Sequence, residues 1–552
     1  MPALTLAHLA TYTPSTNVIG HSITLTALVA LIPLLTFFIL LGVVKLRSHY
    51  CAIGALVVAL LVAIIGYHMP AGLAVLAATQ GAAFGLFPIL WIVIMAIWLY
   101  RLTVTSGRDE DMKAVFSAVG KGDIRIQAVL IAFCFGGILE ALAGFGAPVA
   151  IVAALLVALG LEPIKAAVVT LVANTAPVAF GAMAIPITTA GGILSGEDKA
   201  ANAQAVASGV ASQIPIVAVV VPLLLLALLD GKRGVKELWP LGVVVGVVGA
   251  VMQWVGANFI SYELTAVISS LCGLGAAVVL LAVWKPTTPE EFVSEQVEVS
   301  GRRTWLALFP YILVVIVFGI AKLIHPVTRA LASTDVKVAW PGLHGHLLKA
   351  DGSVSEAPIF SFTWLSNPGT MLFVSCVIIV AVYAATSQNG RFPMSGSIAV
   401  KTLGRVIVDN RLAILTISCI LALSYVMNFS GQTTALGTWL AQTGSAFVVL
   451  SPILGWIGTA VTGSDTSANA LFTGLQETAA HKIGVSPYVT AAANTSGGVI
   501  GKLISPQNLT IAASAIQEKG AESTLLRKVA PFSLAMLAAV CVIVAIQTGA
   551  FF

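Results

Sequence analysis

The chain has 552 residues, of which 58% are hydrophobic and only 9% charged, with a mean hydropathy of +0.99. A soluble domain carries roughly 25% charged residues, so composition excludes one, and the net charge of +5 lies in short loops beside apolar runs, where topology explains it better than a nucleic-acid partner does. The runs are continuous and about 20 residues long, the length a helix needs to cross a bilayer core of about 30 Å. A β-barrel would show alternation instead. The expected fold is an all-α polytopic membrane protein with about 12 transmembrane helices by the same length rule. Six scattered cysteines show no metal-ligand or disulfide spacing and read as small apolar residues. The first 20 residues lack a basic region and a cleavage site, so the first span is expected to direct insertion.

In chain order, spans are predicted near 22–45, 50–67 and 83–102. Lys45 and Arg47 mark one side, and Arg101, Arg108, Lys113, Lys121 and Arg125 mark it again, whereas 67–82 holds no Lys or Arg. The positive-inside rule puts that basic side in the cytoplasm and both chain termini outside. Further spans follow at 205–229, ending in Asp230-Gly231-Lys232-Arg233, at 238–256 and at 262–284. A polar cytoplasmic connector, 285–303, separates an N-terminal half, 1–284, from a C-terminal half, 304–552. The second half opens with a span at 304–324 and a loop at 325–366, whose His344-Gly-His346 lacks the carboxylates or cysteines of a metal site. Spans at 368–387 and 411–430 flank a basic segment containing Arg391, Lys401 and Arg405, whose 395–409 part reads as an amphipathic surface helix.

The two halves repeat. With Asn494 set on Asn174, an offset of 320 residues, Thr170, Ala173, Asn174, Thr175, Gly181 and Pro186 meet Thr490, Ala493, Asn494, Thr495, Gly501 and Pro506. One residue out of step, Gly144 to Pro148 meets Gly463 to Ser467. The first copy is entered from a basic loop and the second from the opposite side, so the copies are inverted, as in many secondary transporters. Each copy begins with two short apolar limbs around a Gly-rich centre, read as re-entrant hairpins at 126–161 and 450–480, although four ordinary crossings per copy would give the same loop parity. A broken helix follows each, at 163–200 and 485–518, with its opening expected from Gly181 to Pro186 and from Gly501 to Pro506, because proline removes a donor and clashes with the preceding turn.

Opened backbone survives in a membrane only where it lines a cavity or binds something. Half-helix N-termini offer N–H groups to an anion and C-termini offer carbonyls to a cation. The repeat symmetry fails where the charges are: Lys502 faces Ala182, Asp465 faces Gly146, and Glu140 faces Thr459. Lys502 is therefore the candidate for a substrate carboxylate. Asp465 and Glu140 are candidates for a proton-coupling group, or for a fixed ion pair with Lys502. Ser464, Thr466, Asn469, Asn174, Asn494 and Gln507, with the tip glycines Gly144 and Gly146, are candidates for contact with substrate oxygens; each polar one could equally be a helix cap or an interhelical hydrogen bond.

Four stretches, Glu140-Ala-Leu-Ala-Gly144-Phe-Gly-Ala-Pro148, Ala173-Asn-Thr-Ala-Pro-Val-Ala-Phe-Gly181, Thr462-Gly-Ser-Asp465-Thr-Ser-Ala-Asn-Ala-Leu-Phe472 and Ala493-Asn-Thr-Ser-Gly-Gly-Val-Ile-Gly-Lys502-Leu-Ile-Ser-Pro-Gln507, resemble the L-lactate permease family, collinearly over nearly the whole chain. Leu142 stands where the family pattern has a small residue, and 325–366 carries no matching motif. The resemblance implies proton-coupled uptake of L-lactate, D-lactate or glycolate in a bacterial inner membrane. It also implies an ion-transporter-superfamily-like fold with elevator-type movement. No cofactor or metal is expected; the expected partners are the small-molecule substrate, protons and the lipid bilayer, with a homodimer allowed. A sodium-coupled carboxylate carrier is the alternative within transport. A channel, or an intramembrane hydrolase built on Ser464, Asp465 and His481, belongs to a different class.

Overall fold

The computed structural model describes residues 11–549 apart from 45, 143, 145, 294–299, 350–351, 388–391 and 519. Lys45, Phe145, Arg391 and the middle of the 285–303 connector, all used in the sequence reading, lie outside the described residues.

The first apolar helix shows why lipid surrounds this bundle. On Ile23–Gly42 the side chains of Ala27, Ala30, Leu34 and Phe37 are buried. Leu25, Leu28, Ile32, Leu35 and Ile39, spaced three and four apart along the other face, are exposed. Such a continuous apolar stripe is an aggregation liability in water, and lipid removes the penalty. Among the described residues eleven helices are long and apolar enough to cross a membrane, or twelve if one bent pair counts as a span. The protein is a multi-pass membrane protein of helices. Its 325–366 loop adds a two-stranded antiparallel ribbon, Val336–Ala339 against Ile359–Phe362.

Burial sorts the helices into an outer and an inner set. The Ile23–Leu40 window is 33% buried, whereas Ile124–Leu142, the leading limb of the first predicted hairpin, is 94% buried. An apolar segment so fully covered by protein sits at the centre of the bundle. Its base is anchored by Arg125, whose guanidinium meets Asp123, Asp230 and Glu237 at 2.8–2.9 Å and stacks over Phe292. That cluster ties the hairpin to the Asp230-Gly231 turn, where the helical geometry of Val221–Val255 is interrupted.

Each of the regions 126–161 and 450–480 holds helices joined by a short glycine-containing turn. The first runs from Ile124–Val129 through a widened turn to Gly136–Leu142 and returns as Ala147–Ala158; the second pairs Phe447–Thr462 with Asp465–Ile483. Gly463 has φ +74°, a left-handed conformation that closes the second tip without a Cβ clash. Backbone contact is closest between Phe447–Thr462 and Pro487–Gly501: a Cβ on Gly455 would fall 1.8 Å from the Asn494 carbonyl oxygen. Small residues thus bring two helix backbones together, the packing expected inside a membrane.

Two expectations need correction. The segment 67–82, placed between two spans, contains most of the helix Ala71–Phe84, which bends at Phe87 into Trp91–Thr105. Its Ala and Gly content hid it among longer apolar runs, yet it suits close packing: a Cβ on Gly81 would lie 2.4 Å from Leu421 O. The first broken helix opens earlier than Gly181. Pro163–Ala173 ends at Asn174, the chain turns by 67°, and Ala182, Met183 and Ala184 carry φ of 44°, 56° and 57°. Pro186 lies in the helix after the opening, so the break falls on its N-terminal side. In the second copy the break is where it was expected: Pro487–Gly501 gives one tight turn, Ser505 is extended, and Pro506–Ala515 starts again.

Candidate functional site

Both hairpin tips and both helix openings meet at one cavity of about 1350 Å³. Gly144 comes from the first tip, Val178 to Pro186 from the first opening, Thr462 to Ser467 from the second tip and Lys502 to Gln507 from the second opening. Two helices start at its wall. Ser464 caps Asp465–Ile483, its hydroxyl accepting from Ser467 N at 3.2 Å, and Ser505 caps Pro506–Ala515, accepting from Asn508 N at 3.3 Å. The remaining first-turn N–H groups and the positive ends of both helices therefore face the cavity, an arrangement that favours an anion.

The charged centre of this wall is an ion pair between segments 362 residues apart in the chain. Lys502 Nζ lies 2.7 Å from Glu140 Oε1, with both side chains less than a tenth exposed. Gly181 makes the room, since a Cβ there would stand 2.8 Å from the same carboxylate oxygen. The Lys502 carbonyl, freed by the break, accepts from Ser505 Oγ at 3.0 Å and Asn508 Nδ2 at 3.1 Å, which fixes the backbone that carries the ammonium. Glu140 Oε2 has no partner among the described residues and Glu140 lines the cavity, so the pair is only half closed.

Asp465 is the second buried carboxyl. It lies in the first turn of its helix at 3% exposure, and neither oxygen finds a hydrogen-bond partner among the described residues. Its carboxyl and the Thr459 hydroxyl rest against Gly498, where a Cβ would come within 2.0 Å of Asp465 Oδ1 and 2.7 Å of Thr459 Oγ1. One ammonium and two carboxyls are thus buried together. An unpaired buried charge costs several kcal/mol, roughly, even after relaxation.

Of the residues proposed from sequence, Lys502, Ser464, Thr466, Gln507, Gly144, Asp465 and Glu140 line the cavity. Asn469 and Asn494 lie elsewhere: Asn469 Oδ1 accepts from Asn494 Nδ2 and from Thr495 Oγ1, each at 2.9 Å, in a fully buried network that Gln476 joins. They bind helix to helix. Asn174 ends the Pro163–Ala173 helix outside the cavity wall, and Gly146 serves packing, a Cβ there falling 2.3 Å from Ile511 Cδ1. Sequence reasoning missed Phe37, Ser48, His49, Thr416, Thr462 and Thr510 as wall residues, and assigned Arg47 only a topological part. Phe37, Ser48, His49 and Thr416 reach the cavity from helices outside the repeats, where no local pattern marked them, and Thr462 and Thr510 lie within the second copy as single hydroxyls among apolar residues.

The hydrolase arrangement fails on distance. Ser464 and His481 stand at opposite ends of one helix, about 25 Å apart at 1.5 Å per residue, and His481 lines a separate pocket of about 500 Å³ beside Glu477, Glu197 and Lys337. No nucleophile and base can meet across that span.

The family model for L-lactate permease matches residues 26–551. The chain belongs to the L-lactate permease family. An L-lactate permease of Bacillus subtilis (strain 168) is 37% identical, covering 98% of this chain and 98% of its own. An L-lactate permease of Escherichia coli (strain K12) is 38% identical over 97% of both chains, and the glycolate permease GlcA of the same organism is 37% identical over 96% of both. The solved structure of the Alcanivorax borkumensis YdaH transporter aligns with 86% of this chain and 87% of its own at 15% identity and a TM-score of 0.42, too loose a likeness to argue from. Membership places the cavity in a family of permeases, with an ammonium, two carboxyls and two helix starts in its wall.

Proposed function

We propose that this protein is a secondary active transporter that imports L-lactate and related 2-hydroxy monocarboxylates, D-lactate and glycolate among them, by proton symport across the inner (plasma) membrane. The relatives named for L-lactate and for glycolate support the substrate class. The observation that carries the mechanism is the half-closed Lys502–Glu140 pair on the cavity wall beside an unpartnered Asp465.

Charge balance supplies the coupling. With Glu140 matched to Lys502, the buried group is neutral only if Asp465 holds a proton, and a neutral Asp465 can donate a hydrogen bond into the cavity. A substrate carboxylate that takes Lys502 displaces Glu140. Glu140 then has no cation, and an ionised carboxylate left unpaired in this setting is too costly, so it takes up a proton. Lactate and one proton are held together or not at all. Departure of the lactate restores the Lys502–Glu140 pair and expels the proton. Ser464, Thr466 and Gln507 line the same cavity, which supports them as partners of the 2-hydroxyl or the second carboxylate oxygen.

In this reading the two hairpins are re-entrant and the halves are inverted repeats, 1–284 and 304–552, joined by the 285–303 connector. Both tips and both openings reaching one cavity supports it, since a shared midplane site is what inverted repeats build. Alternating exposure of that site to the two faces does the transport, with the basic loops on the cytoplasmic side.

The test is uptake of labelled L-lactate and glycolate into proteoliposomes with external pH recorded. A pH gradient should drive accumulation, and Glu140→Gln should keep lactate exchange while losing that accumulation. Accumulation driven by sodium at zero pH gradient and zero potential would replace the proton in this reading.

A further inference from the structure

We infer that Arg47, Ser48 and His49 form a second carboxylate-binding position at the mouth of the cavity, a waypoint between bulk water and Lys502. The inference rests on the transport reading above and adds a site to it. All three residues line the cavity, from a helix that belongs to neither repeat.

The Ser48–Leu61 helix begins here without a side-chain cap. Tyr50 N and Cys51 N bond back to Arg47 O, and the Ser48 and His49 N–H groups, the first two of the helix, bond to no carbonyl among the described residues. Arg47 is exposed at the cavity edge and pairs with no carboxylate among the described residues. The second, independent observation is His49. The residue is only 7% exposed, its ring lies 4.1 Å from that of Tyr50, and it has no hydrogen-bond partner among the described residues. Buried polar groups are normally paired. One that lines a cavity, unpaired, beside an uncapped helix start and a free guanidinium, has the donors for a small carboxylate and lacks the acceptor.

The position lies at the mouth and not in the floor. Arg47 is exposed whereas Lys502 and Glu140 are each less than a tenth exposed, so the cavity leads from the surface at Arg47 to the buried pair. Leu412 and Leu526, near the starts of two helices in basic segments, line the same cavity. A cavity of about 1350 Å³ is many times the size of a three-carbon acid, so Lys502 and the mouth can each hold one.

The experiment measures lactate KM and maximal rate separately from each face, in right-side-out and inside-out vesicles, for Arg47→Gln, His49→Asn and the conservative Arg47→Lys, with Arg101→Gln as a control for surface charge. Removing a charge-assisted hydrogen bond costs about tenfold in affinity. The expected result is a KM from the Arg47 face raised about tenfold for Arg47→Gln and severalfold for His49→Asn at an unchanged maximal rate from that face, restored by Arg47→Lys, with the ratio of maximal rate to KM from the opposite face falling by the same factor, as detailed balance requires. An unchanged KM from both faces, or an equal change in Arg101→Gln, overturns the waypoint. A fall in maximal rate alone also overturns it, as that reports a structural part for these residues. Wild-type vesicles that move no hydroxy acid would strike the transport reading itself.

Discussion

Replacing Lys502 by Met, Glu140 by Leu, and both together separates the structural from the transporting part of the central pair. At 2.7 Å and under a tenth exposure, the Coulomb attraction is about 6 kcal/mol at an effective dielectric of about 20. Desolvation offsets much of it, so the pair adds little net stability, but either partner left alone is a buried unpaired charge costing about 3–5 kcal/mol. Each single variant should therefore be destabilised by that amount, whereas the double variant, apolar on both sides, should return to within about 1–2 kcal/mol of the parent. Unfolding in detergent gives the stabilities, and lactate binding and uptake by the same preparations give the function. The stable double variant should bind no lactate, because the ammonium is gone. Additive destabilisation, with the double variant as weak as the sum of the singles, would refute the buried pair; lactate binding by the double variant would refute the role given to Lys502.

Gly498→Ala should disturb Asp465 without touching Lys502, since the new methyl would fall 2.0 Å from Asp465 Oδ1; we expect lactate affinity to drop severalfold, about 1 kcal/mol, and unaltered affinity in a binding assay would count against Asp465 as a cavity donor. Asp465→Asn preserves a neutral donor, so proton-driven accumulation should survive in it although it fails in Glu140→Gln; measured in parallel, the opposite outcome would move the coupling proton to Asp465. Asn469→Ala leaves Asn494 and Thr495 without their shared acceptor and should cost about 1–3 kcal/mol of stability with an unchanged lactate KM; a raised KM in a well-folded variant would bring Asn469 back to the substrate. Gly181→Ala should act like a mild Glu140 variant, as its Cβ would press on the carboxylate at 2.8 Å, and full pH-driven accumulation by this variant would speak against that contact.

Much of this protein is written locally. Apolar runs of bilayer length declare the spans, because one helix satisfies its own backbone wherever it lies. Glycine and proline declare the tips and the break at Gly501 to Pro506, because conformational freedom and a missing N–H are properties of single residues, but the first break opens ahead of Gly181 and was not legible in the same way. The charges that break the repeat symmetry mark Lys502, Glu140 and Asp465 for the same reason: an ionisable group in apolar sequence is costly in any fold. Which of them pair is a different kind of fact. Glu140 and Lys502 are 362 residues apart in the chain and meet only because the first hairpin and the second broken helix share a wall. Likewise, tertiary packing alone turns Asn469 and Asn494 inward to each other and leaves Ser464 and Thr466 in the cavity, although all four looked alike as polar residues in apolar helices. It also brings Arg47 and His49 to the same space from outside the repeats. Composition and spacing determined that this chain would hold a charged site inside a membrane; the distances between distant segments decided which groups hold each other and which are left to hold a ligand.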